Sequence, residues 1–283
     1  MELQTGDVRP IRIYTLGRFE ILLDGAPLRF LFKTPRKPLA LLKGLLSGGL
    51  HGIRQEALTD ALWPDLAPWS AARVLHVTIY RLRSLLCRKR AVVVDDGRVA
   101  LDPELCWVDA WAFEHAVADA RDPTALLWAL RFYRGMFLSD AEHPLAYEAR
   151  DRLRRKFNRA VLQLGQSYER IGDTQSAIDL YQMALDADSA SEDVHRSLMR
   201  CLAREGQSSA VAAAFHRCRT TLMRQFGTAP SLQTEQIYRQ ACAARPPGSG
   251  LQPQPQPRSQ SPQPRLQPQS QPQVSTRQVL CAP

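Results

Sequence analysis

Residues 69–90 read WSAARVLHVTIYRLRSLLCRKR, and the fold turns on this stretch. At about 100° per residue, Leu75, Ile79, Leu82 and Leu86 fall on one stripe, the mark of a helix with one face in a core. The other side carries Arg73, His76, Val77, Tyr80, Arg81 and Ser84, and Arg83 lies between the two. No acid occurs between Asp65 and Asp95. A helix laid in the DNA major groove needs such a face. Arginine forks onto guanine, Val77 suits a thymine methyl, and His76 and Tyr80 reach phosphates or bases. Arg83 suits a phosphate, and Arg88, Lys89 and Arg90 beyond the helix favour affinity over specificity. On composition alone, a solvated basic helix face explains the same charges equally well, so the flanking segments decide.

Ser70 predicts an N-cap, with the helix running to about Cys87. Upstream, residues 11–16 alternate, 19–23 form a second apolar run, and Asp24-Gly25 is a hairpin signal before 27–30. Together they predict a small antiparallel sheet. A first helix follows over 36–46, with Pro38 near its first turn. A second covers 54–63, packing Ala57, Leu58, Ala61 and Leu62 until Pro64 stops it. Downstream, 91–94 and 99–101 flank Asp95-Asp96-Gly97-Arg98 as a closing β-hairpin. Strands, three helices and a hairpin make an α+β winged-helix domain over about 8–108. In that fold Arg98 stands at the wing tip, placed for a minor groove. Lys33, Arg36 and Lys37 at the first helix, and the helix start at Arg54, are placed for phosphates. Lys37 and Arg36 serve equally well as ordinary solvated charges.

From 109 to 245 the pattern is all helical and repeats. Ile171-Gly172-Asp173-Thr174-Gln175-Ser176-Ala177-Ile178 recurs 34 residues later as Glu205-Gly206-Gln207-Ser208-Ser209-Ala210-Val211. Leu164 and Tyr168 precede the first turn, and Leu198 and Leu202 the second. Ala177, Tyr181 and Ala184 follow the first, and Val211, Phe215 and Cys218 the second. That is the tetratricopeptide period, with Val161 and Ser189 at the usual tryptophan and proline places. Such repeats need neighbours to bury their outer faces. Helices over 122–133 and 147–158 are expected to supply them. From 246 to 283 the chain is a Pro/Gln tract with Arg258, Arg265 and Arg277 and no acid, expected to be a disordered tail.

The formal net charge of +9 suits a polyanionic partner. Six scattered cysteines without a CxxC pair argue against a zinc ribbon or disulfide framework. No run approaches the ~20 apolar residues of a membrane span, and no secretory signal opens the chain, so a cytoplasmic protein without membrane contact is expected. Neither HExxH, G-x-S-x-G, a P-loop nor a dinucleotide fingerprint occurs, so no enzyme, metal site or cofactor is expected. Two function classes stand: a DNA-binding regulator, or a tetratricopeptide interaction scaffold with a degenerate winged helix.

Val77-Thr78-Ile79-Tyr80-Arg81-Leu82-Arg83 resembles the recognition helix of OmpR/PhoB-type winged helices. Residues 58–65, followed by Ala71-Ala72-Arg73, look still more like antibiotic-regulatory (SARP-like) activators of actinobacteria. Those proteins join this winged helix to a bacterial transcriptional activator domain (BTAD) of tetratricopeptide-like helices. Trp107-Val108-Asp109, Tyr133-Arg134-Gly135-x-Phe137-Leu138 and Arg224-Gln225-Phe226-Gly227-x-x-Pro230-Ser231-x-x-Thr234 are similar to that domain's landmarks. The resemblance implies an activator on directly repeated promoter sites in double-stranded DNA, homodimerisation there being one option. It also implies contact with RNA polymerase or another protein through the helical domain.

Overall fold

The computed structural model describes residues 9–30 and 34–243; Lys33 and the 246–283 tail lie outside the described residues. The first sheet contains β1 (Ile11–Tyr14), β2 (Glu20–Leu23), β3 (Ala26–Pro27) and β7 (Cys106–Val108), in the order β3-β2-β1-β7. Alternation buries Ile11 and Ile13 together, and Asp24 and Gly25 both take positive φ at the β2–β3 turn, as a two-residue hairpin turn requires. Then come α1 (Arg36–Ser47), β4 (Ile53–Arg54), α2 (Gln55–Leu62) and α3 (Pro68–Leu85). The hairpin of β5 (Val92–Asp95) and β6 (Arg98–Leu101) closes the winged helix, with β4 paired to β6. Leu75, Ile79, Leu82 and Leu86 are all buried, and α3 packs on α1, whose Leu41, Leu42, Leu45 and Leu46 are buried too.

Three local expectations change. Helix α3 begins at Pro68, not after Ser70: proline at the first helical position gives up an N–H that has no partner there anyway. Ser70 therefore lies inside the first turn, behind Ala67 as N-cap. Ala57 is exposed, because α2 spans only eight residues and turns Leu58 inward instead. Strands β4 and β7, with two and three residues, are too short to show alternation, so the sequence did not announce them.

The helical part runs α4 (Asp109–Asp119), α5 (Pro123–Leu130), α6 (Pro144–Arg170), α7 (Thr174–Ala187), α8 (Glu192–Arg204), α9 (Ser208–Phe226) and α10 (Leu232–Ala243). The expected helix over 147–158 is the first half of α6, since neither proline nor glycine interrupts Leu145 to Leu164. The two repeats are α6–α7 and α8–α9. Gly172 and Gly206 take positive φ in their turns, and Asp173 caps α7 by accepting from the Ser176 N–H. Gly165 lets α7 come close: a Cβ there would stand 2.2 Å from the Tyr181 hydroxyl. Tyr181 is fully buried and donates its O–H to Glu169 at 2.9 Å. At the far end Tyr238 of α10 stacks on Phe215 at 4.2 Å. Glu192 accepts from the Ser231 N–H and the Ser231 and Thr234 hydroxyls. Partial burial opposes its charge, but those bonds prevail and hold its carboxyl below the usual range.

The described residues of both parts pack as one compact unit. Asp109, at the start of α4, is buried and accepts from the Thr15 N–H (2.8 Å), the Thr15 hydroxyl (2.6 Å) and the Leu16 N–H (3.0 Å) just beyond β1. Burial pushes its carboxyl above the usual range, while the hydrogen bonds from Thr15, Leu16 and Ala110 pull the other way. The Gly17 N–H donates to Met136, and the Leu138 N–H to Thr15. Lys43 of α1 pairs with Asp140 at 2.5 Å, and Arg152 of α6 reaches the Ser47 carbonyl at 3.3 Å. Two of the landmark motifs, at 107–109 and 133–138, thus meet at the end of β1 and fasten the two parts together.

Candidate nucleic-acid interface

Helix α3 divides as its periodicity requires. Opposite the buried stripe, Arg73, His76, Val77, Tyr80, Arg81 and Ser84 are all exposed. Val77 is 50% and Tyr80 72% exposed, high for side chains whose exposure to water costs free energy. Trp69, 68% exposed, stands one turn ahead of Arg73 on the same side. The sequence reading passed it over, although an aromatic outside the core stripe was the available signal.

Arg36 and Lys37, in the first turn of α1, are exposed and line one surface hollow with Arg81 and Ser84 of α3. The fold therefore brings four of the expected contact residues together from two helices. Lys33 lies outside the described residues. Arg54 is exposed at the start of α2, on β4 opposite Arg98.

Two arginines have structural partners instead of open ends. Arg83 is half-buried, and its Nε and Nη2 donate to the Val92 carbonyl at 3.1 and 2.7 Å, tying α3 to β5. Arg98 donates to the carbonyls of His51 (3.1 Å) and Gly52 (3.0 Å), so its guanidinium ties the turn end of the hairpin to the 49–52 turn. The Asp96-Gly97 turn, not Arg98, forms the tip. Arg88 pairs with both Asp24 carboxylate oxygens at 3.0 Å, which leaves Lys89 and Arg90 as the exposed cations after α3.

The described residues thus form a winged helix with one bare helix face, continued by stacked tetratricopeptide-like helices. Residues 108–241 match the family model described as bacterial transcriptional activator domain. Among solved structures, the chain is similar to Mycobacterium tuberculosis EmbR in complex with low affinity phosphopeptide, with a TM-score of 0.57 and 21% identity. The match covers 84% of this chain and 66% of that one, and at this identity the likeness is one of fold. No curated protein matches the chain. The family match bears out the resemblance of the helical part to the bacterial transcriptional activator domain, and the likeness to EmbR bears out the fold. No described helix is long and apolar enough to cross a membrane.

Proposed function

We propose that the chain is a sequence-specific activator that reads double-stranded promoter DNA with α3 and meets RNA polymerase or another protein through its helical part. The exposed face of Arg73, His76, Val77, Tyr80 and Arg81 on a helix otherwise locked in the core carries the proposal. Arg36, Lys37, Arg54 and Ser84 supply phosphate contacts around it. Arg83 and Arg98 act indirectly, by fixing the hairpin against α3 and the 49–52 turn. We place the working boundary between the two parts near residue 108, with two copies on repeated sites as one mode of binding.

Genome-wide mapping of bound DNA, repeated with Arg73, Tyr80 and Arg81 replaced by alanine, tests this. Discrete sites are expected for the natural chain and their loss in the variant. Each base-reading side chain should account for about 1–3 kcal/mol at a cognate site, and affinity should fall steeply with salt. Unchanged occupancy in the variant would remove α3 as the reader. The absence of any discrete site would favour the interaction scaffold.

A further inference from the structure

On the side of the molecule where the first sheet meets the helices lies a cavity of about 1630 Å³, which the DNA-facing surface does not use. It is larger than the roughly 300–1,000 Å³ of common ligand pockets, and so admits a molecule of several fused rings. Its walls are aromatic and come from both parts of the chain: Tyr14 of β1, Trp107 of β7, Trp111 of α4 and Trp128 of α5, with Phe132 beyond. The rings are set edge to face, Tyr14 on Trp107 at 5.4 Å and Trp128 on Phe132 at 4.9 Å. Trp128 is nevertheless 51% exposed, a ring available for stacking.

The polar groups give the cavity a sign. Its two acids are engaged: Asp119 with His115 at 3.2 Å and Asp186 with Arg217 at 2.9 Å. Arg131 and Arg134 also line it, both exposed and neither in an ion pair among the described residues. Trp111 is only 6% exposed, and its indole N–H meets no acceptor among the described residues. A buried donor left without a partner asks for an explanation.

We infer that this cavity binds a planar aromatic molecule of several rings bearing a carboxylate. The rings stack on Trp128 and Trp107, the carboxylate faces Arg131 and Arg134, and an acceptor on the ring system serves the Trp111 N–H. Because the lining comes from β1 and β7 as well as from α4 and α5, the occupant bridges the joint.

Anthraquinone-2-carboxylate and its carboxamide serve as probes, titrated against the full chain and read by tryptophan fluorescence and calorimetry. Saturable binding is expected, tighter for the acid. Trp128→Ala should weaken it about tenfold, and Trp128→Phe much less. Arg131→Gln with Arg134→Gln should weaken the acid about three- to tenfold and leave the carboxamide unchanged. These side chains are exposed, so circular dichroism spectra and melting should match the natural chain. No saturable binding up to about 1 mM would overturn the inference. So would equal affinity for acid and carboxamide, binding indifferent to Trp128→Ala, or binding of an acidic peptide in place of the aromatic acid.

Discussion

Single residues carry the closest tolerances. Leu164 and Tyr168 were legible from the repeat, but the need for Gly165 between them was not, because its reason sits on another helix. Alanine there gains helix propensity worth about 1 kcal/mol, yet its Cβ would collide with a fully buried Tyr181 ring. We expect Gly165→Ala to lower stability by about 1–3 kcal/mol in urea unfolding. Asp109 is the converse case, an ionisable residue in the interior. Alanine there leaves the Thr15 and Leu16 N–H groups without their acceptor, a loss of about 2–4 kcal/mol. Asparagine keeps one acceptor oxygen and should lose distinctly less; equal losses for the two would show that the hydrogen bonds are not the cause.

At the scale of elements, the strongest periods were the most readable. The stripe of α3 and the 34-residue repeat emerged from spacing alone, since a helix repeats its buried positions locally. The short strands β4 and β7 did not, since pairing partners supply what their few residues cannot. The roles of Arg83 and Arg98 were hidden for the same reason: a carbonyl acceptor has no signature in sequence. Helix α8 makes its own prediction. His195 is fully buried; burial, with the Arg217 charge, lowers its pKa below 6.5 despite its bond to the Ser189 carbonyl. His143, at the start of α6, is lowered by burial and by Arg150 and Lys43. In both cases the unfolded chain takes up a proton before the folded one. Stability is therefore complete above about pH 6.5 and falls as pH drops below it. Denaturant titrations between about pH 7.5 and 5 should show the decline. His195→Gln should flatten it, and an unchanged slope would clear His195 of responsibility.

For the molecule as a whole, composition and the change of period marked two parts but not how firmly they are joined. The Asp109 bonds connect residues 93 and 94 positions apart, a separation that leaves no local trace. With backbone bonds, a buried carboxyl and the Lys43–Asp140 pair across the joint, we expect the described residues to unfold in a single calorimetric transition. Two resolved transitions would show that the parts melt independently.

The same joint limits how such a chain can be recombined. A winged helix cut at residue 108 and grafted onto a foreign partner would carry away Thr15 and Leu16 without Asp109, Met136 or Leu138. Transplantation should succeed only when the borrowed fragment extends past residue 140, so what is exchangeable here is a winged helix together with its clamp.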